Sequence, residues 1–257
     1  MNPRLHKSSI SKHILLLEID NPPANSLSKA MKLQFMEVLD ELEQNTDLRA
    51  LIITGRGNKF CTGDDLKEAL KNNGKEGVIL NNLRAFSMVI DRIEALPFPI
   101  IAAINGWCIG GGLELALCCD IRMAVDSAKF ITAGVNVGLT ASAYRLPRLI
   151  GVGRAKRMLL TGAAIDAQEA KEFGLVTDLH SAENLLPEAI RLAELMTNKA
   201  PLAIKATKRI ANSAFDLSPE EGYVMQQKEL EELSRTKDHK EALAAFTEKR
   251  KPHFKGN

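Results

Sequence analysis

In the first half of the chain, short runs of branched apolar residues bounded by polar or turn residues alternate with stretches whose apolar residues recur every three or four positions. HILLLEI (His13–Ile19) and ALIIT (Ala50–Thr54) are of the first kind and predict strands. Between them Met31, Phe35, Val38 and Leu42 form one helical stripe behind Ser28, a residue suited to capping a helix. Leu83, Phe86, Ile90 and Ile93 predict a second helix that Pro97 stops, and the charged KEALKNNGKEG ahead of it reads as a short helix followed by a mobile loop. PIIAAI (Pro99–Ile104) and IRMAV (Ile121–Val125) predict further strands, with a helix through Glu114 between them.

From Arg154 onward the pattern is almost wholly helical, through ENLLPEAIRLAELMTNKA and PLAIKATKRIANSAF to charged segments ending in FTEKRKPHFKGN. Strands with helices first and helices alone afterwards predict an α/β core over residues 1–190 and a C-terminal helical module over 191–257. Amphipathic runs such as Ala189–Met196 in a module with no strand partner predict a homo-oligomer.

Composition narrows the class. A chain of 257 residues, 45% hydrophobic, has ample material for a core. A net charge of +2 argues against nucleic acid as a partner. The N-terminal MNPRLHKSSISK lacks an apolar signal core and no run approaches the roughly 18 apolar residues of a membrane span, so a cytoplasmic protein without a membrane partner is expected. The four cysteines and five histidines show no ligand spacing, so no metal is expected, and buried, reduced thiols fit the cysteines.

The candidate chemistry lies in NGWCIGGGLELALCCD (Asn105–Asp120), where three glycines, Gly110 to Gly112, stand between a strand and a helix and one acid, Glu114, follows among apolar neighbours. Two readings stand on the residues alone. The glycines allow a tight turn with close helix packing, or they leave N–H groups at a helix start free to hold a negative oxygen. Likewise Glu114 is either a solvated first-turn acid or a partly buried working carboxylate. Neither GWCIGGG nor GRGNKF has the spacing of a dinucleotide or Walker-type loop.

KFCTGDDLKE, followed some forty residues later by NGWCIGGGLELALCCD, resembles the paired signature of the crotonase superfamily, the enoyl-CoA hydratases and isomerases. NPPANSLS, RLPRLIGVGRAKRMLLTGAAIDAQEAKEFGLV and EKRKPHFKGN extend the resemblance over nearly the whole chain. It implies an α/β, crotonase-like spiral of repeated strand–strand–helix units with a C-terminal helical module, assembled as a homotrimer or homohexamer. It also implies an acyl-CoA thioester as substrate, with no cofactor beyond the CoA that the substrate carries. The thioester oxygen would sit between the N–H groups of Asp64 and Gly111, and Glu114 would activate the water that adds across an α,β double bond. For CoA, the resemblance implies the backbone around Ala24, Thr62, Asp65 and Leu66, with Lys249 of the tail at a phosphate.

The chain departs from the family pattern at two places. Relatives often carry a small or apolar residue where Asp64 stands, and its side chain is expected to turn to solvent or cap a helix. Where the second catalytic glutamate is expected, the sequence has Gly134, and the following TASAYRLPRL looks shortened. A vacant space at Gly134 is expected unless Tyr144 or a shifted loop fills it, and Tyr144, Asn136 or Asp64 are the candidates to replace the lost proton donor. Hydratase-type chemistry is the first reading. An acyl-CoA hydrolase or decarboxylase, or a non-catalytic acyl-CoA binding protein, is the alternative.

Overall fold

A computed structural model describes residues 3–65, 68, 71 and 77–257. Among the described residues ten strands form two sheets. The larger has six strands in the order β1-β2-β3-β5-β7-β10, and the smaller has four in the order β4-β6-β8-β9. In the larger sheet β1 (Arg4–Ser11), β2 (Ile14–Asp20), β3 (Ala50–Gly55), β5 (Ile100–Ile104), β7 (Ile121–Val125) and β10 (Asp178–His180) run parallel except for the β1–β2 pair. The smaller sheet holds β4 (Lys59–Cys61), β6 (Trp107–Ile109), β8 (Lys129–Ile131) and β9 (Ile165–Asp166).

The chain alternates between the sheets in a repeated step. β3 passes within a few residues to β4, β5 to β6 and β7 to β8, and a helix follows each pair. The helices after the first two pairs are Val78–Ala95 and Gly111–Leu117, and the third pair leads through a 3-10 turn to Arg145–Ile150. This is the strand–strand–helix spiral expected from the resemblance. β3 and β5 are buried along their whole length, with the helix Leu185–Thr197 and β4 of the smaller sheet packed against both.

The first helix, α1 (Lys29–Gln44), starts where the sequence places it, with Ser28 Oγ accepting from the Met31 N–H at 3.3 Å. Such a cap contributes about 1 kcal/mol. In Val78–Ala95 the buried face is Phe86, Val89, Ile90 and Ile93, while Leu83, expected on that stripe, is exposed. The expected loop of KEALKNNGKEG lies largely outside the described residues.

The helix Leu185–Thr197 runs through residue 190, packs against β2, β3, β5 and β7, and places its buried Leu185, Ala189 and Ala193 in the core. The helices Pro201–Asn212, Pro219–Ser234 and Lys237–Thr247 follow it. Among the described residues no helix is long and apolar enough to cross a membrane.

Candidate active site

Two asparagines fasten the loops above the carboxyl ends of β3 and β5. Asn105 donates to the carbonyls of Gly55 (2.7 Å) and Gly57 (2.8 Å) and accepts from the Gly55 N–H at 3.1 Å. Asn25, buried and with φ of 52°, donates to the carbonyls of Arg56 (2.9 Å) and Lys59 (2.7 Å). That second anchor folds the Asn21–Ser26 loop over β4. Thr62 Oγ1 then donates to the Ala24 carbonyl at 2.9 Å, and Ser26 Oγ to Asp65 Oδ2 at 3.3 Å. Ala24, Thr62 and Asp65 are thus brought together on one surface, whereas Leu66 lies outside the described residues.

The glycines are required by contact. A Cβ on Gly112 would stand 2.0 Å from the Cys61 carbonyl oxygen, so the helix Gly111–Leu117 is seated directly on β4. Gly63, at φ of 83°, would drive a Cβ to 2.7 Å from the Gly111 nitrogen. The Gly63–Asp64 turn and the start of the helix therefore meet backbone to backbone, with the Asp64 nitrogen 3.5 Å from where a Gly111 Cβ would be. Among the described residues no acceptor is bonded to the N–H of Asp64 or of Gly111. Two donors, side by side and unengaged, are what a developing oxyanion needs.

Glu114 lies one turn into that helix, its side chain 13% exposed, with Oε2 3.5 Å from Arg145 Nη1. Arg145 also donates to Glu94 at 2.8 Å and Asp91 at 3.3 Å, and its buried Nε has no partner among the described residues. Burial opposes its charge, but the hydrogen bond to Glu94 and the negative charges of Glu94 and Glu114 outweigh that and raise its pKa. Behind the site burial pushes the Cys61 thiol up to about 12, which leaves it a small hydrophobe rather than a nucleophile.

At Gly134 a loop fills the space a carboxylate would need. A Cβ there would stand 2.9 Å from both the Ala141 nitrogen and the Leu139 oxygen, because the chain folds back with the Leu139 N–H on the Gly134 carbonyl at 2.9 Å. Of the candidate replacement donors, Asn136 Nδ2 is bonded to the Gly162 carbonyl (2.9 Å), and the exposed Tyr144 points its hydroxyl at Asp216 Oδ1 (3.4 Å). Neither faces Glu114 through any described contact. The Asp64 side chain, expected to turn to solvent or cap a helix, is 36% exposed and its Oδ1 accepts from Lys32 Nζ at 2.5 Å. Gly134→Glu is accordingly expected to leave crotonyl-CoA hydration unraised and to lower the melting temperature. A rise in turnover would show that the 139–141 segment yields.

Lys249 stands apart. It is exposed, and the tail beyond it is fastened by Arg49 Nη2 on the Phe254 carbonyl (2.9 Å) and by the Asp238 carboxylate on the Lys255 and Gly256 N–H groups (2.7 and 2.8 Å). Arg49 precedes β3, at the end away from Gly55 and Ala24, and among the described residues no hydrogen bond or ion pair joins Lys249 to Ala24 or Thr62. The sequence reading missed Lys32, Arg145 and the buried Ser142, which has φ of 60° and an Oγ with no partner among the described residues. Lys32 was traceable, since its spacing to Phe35, Leu39 and Leu42 puts a cation on the buried stripe of α1.

Residues 9–257 match the family model described as enoyl-CoA hydratase/isomerase. A crotonyl-CoA hydratase of Syntrophomonas wolfei is 36% identical over 94% of each chain. An (E)-benzylidenesuccinyl-CoA hydratase of Thauera aromatica is 36% identical over 96% of this chain and 97% of its own length. The crystal structure of an enoyl-CoA hydratase from Bacillus anthracis superposes with a TM-score of 0.94 at 36% identity, covering 98% of this chain and 99% of that one.

Proposed function

The chain belongs to the enoyl-CoA hydratase/isomerase family, and from that premise we propose that it is a hydratase-type lyase acting on an acyl-CoA thioester. The observation that carries the reading is the pair of unengaged N–H groups, Asp64 and Gly111, meeting one helical turn from the half-buried Glu114. The Glu114 carboxylate takes a proton from water as the water oxygen bonds to the β-carbon. The double-bond electrons move towards the thioester, whose oxygen gains charge between the two N–H donors. Each such donor contributes about 2.7–4 kcal/mol in comparable oxyanion holes. The enolate then collapses as the α-carbon takes a proton from a neighbouring acid, and Glu114 returns the proton it took from water to solvent, so that one water is added overall and the base is restored. Loss of ultraviolet absorbance by crotonyl-CoA on adding the protein tests this. Binding of CoA esters without turnover of any enoyl-CoA would leave a binding protein instead.

The joined surface of Ala24, Thr62 and Asp65 supports a CoA site there, and Lys249, remote from that surface within one chain, is proposed to meet a phosphate of CoA bound by an adjacent copy. Lys249→Ala is expected to weaken CoA-ester binding about tenfold and to flatten its salt dependence, with turnover at saturation held. An unchanged dissociation constant contradicts that role. The exposed Phe246 (86%), with Leu243 and Leu230 of the helical module, supports association of copies, which we propose to be a homotrimer or homohexamer in the cytoplasm. Sedimentation at micromolar concentration should return three or six chain masses, and a monomer would contradict it.

A further inference from the structure

The loop that fills the place of a second acid leaves the reaction short of a group to exchange a proton with the α-carbon. On the opposite side of Gly111 the structure holds a charged pair that the scheme above does not use. Lys32 Nζ lies 2.5 Å from Asp64 Oδ1, with the lysine side chain 8% exposed and the aspartate 36%. The ammonium also donates to the Asn82 carbonyl at 3.4 Å and stands 5.8 Å from the centroid of Phe86, whose Cζ is 3.4 Å from an ideal Cβ on Gly111. The pair is therefore packed under the same turn that presents the two N–H donors.

We propose that Asp64 works with its side chain as well as its amide: its carboxylate exchanges a proton with the substrate α-carbon, and Lys32 is the residue that positions it. This rests on the reading that an acyl thioester lies with its oxygen at the Asp64 and Gly111 N–H groups. Covalent geometry keeps a carboxylate within roughly 5 Å of its own amide nitrogen, and a bound oxygen lies about 2.9 Å from that nitrogen. These lengths allow the carbon next to the thioester carbonyl to approach Asp64 Oδ2, the oxygen that Lys32 does not hold.

The proton and electron count closes. The carboxylate oxygen takes the α-proton, the C–H electron pair becomes the enolate double bond, and the charge settles on the thioester oxygen; the return of a proton from the carboxylic acid reverses each step. Lys32 makes the transfer electrostatically consistent. Before it the pair is neutral overall and the thioester is neutral. Afterwards the aspartic acid is neutral and the buried ammonium remains, so a net positive charge arises beside the enolate as the enolate forms. Burial against Phe86 keeps that charge poorly screened by solvent. A lone carboxylate in the same place would become a neutral acid and leave the enolate without a countercharge on that side.

The test is α-proton exchange of butyryl-CoA in D2O, followed by mass spectrometry, beside calorimetric binding of the same ester. Wild type should bind and exchange. Asp64→Asn, which retains the backbone donor, should slow exchange at least about 100-fold with binding kept. Lys32→Met should lower the exchange rate at saturation without raising KM, and Lys32→Arg should recover most of it. If Asp64→Asn misfolds because it strands a buried ammonium, the Lys32→Met/Asp64→Asn double variant removes both charges and should also bind without exchanging. Glu114→Gln, which loses hydration, should still exchange. Exchange at the wild-type rate in either Asp64 variant, or exchange abolished by Glu114→Gln alone, overturns the proposal. Binding by wild type without exchange overturns it too and leaves the acyl-CoA reading standing, whereas no binding removes both.

Discussion

Glu114→Gln should lower crotonyl-CoA hydration by about 10²–10⁴-fold while the dissociation constant for a CoA ester stays within about threefold. The amide keeps the volume of the carboxylate, so the pocket wall is preserved, but it cannot accept a proton from water. Arg145 loses one of its anionic neighbours and retains Glu94 at 2.8 Å and Asp91 at 3.3 Å, so the helix carrying it stays in place. A fall in affinity with turnover at saturation intact would make Glu114 a binding residue. Unchanged turnover would move the base elsewhere.

Gly112→Ala should destabilise the protein by more than about 4 kcal/mol, a loss in the range reserved for core disruption. The added methyl would meet the carbonyl of Cys61, which is backbone of β4 and paired in register with Cys108 of β6, so nothing near it is a flexible side-chain end. Either the helix lifts, separating Gly111 from Asp64, or the smaller sheet parts. Thermal unfolding should show a fall of about 10 °C or more, or no soluble protein. Gly153→Ala is the control, since nothing lies within 4 Å of a Cβ there and the residue is within the helix Val152–Thr161. Alanine should be neutral or stabilising by up to about 1 kcal/mol at that helical position. Equal behaviour of the two variants would mean that the seat on β4 is not tight.

The strands that read clearly in sequence, β2, β3, β5 and β7, lie inside the larger sheet and are apolar on both sides or nearly so. β1 was not legible because RLHKSSIS is an edge strand with mostly exposed side chains, defined by its pairing with β2 rather than by its own composition. β4, β6 and β8 have three residues each, too few to show a period, and the close approaches of Gly63 and Gly112 hold them where they are. In the site, the glycine turn and the acid after it stood out because their residue types are unusual at a strand-to-helix turn, while the roles expected of them came from the family resemblance. The tie between Lys32 and Asp64 was not, since the two are 32 positions apart and only folding makes them a pair. The filled space at Gly134 is likewise a property of the 139–141 backbone, which no side-chain pattern announces.

The most direct measurement is a crystal structure with crotonyl-CoA or its hydration product bound. The account predicts the thioester oxygen at about 2.9 Å from both the Asp64 and Gly111 nitrogens, the β-carbon facing Glu114 and the nucleotide end running past Thr62 and Ala24. A thioester oxygen held by any other group, or an acyl chain that bypasses Glu114, would contradict it.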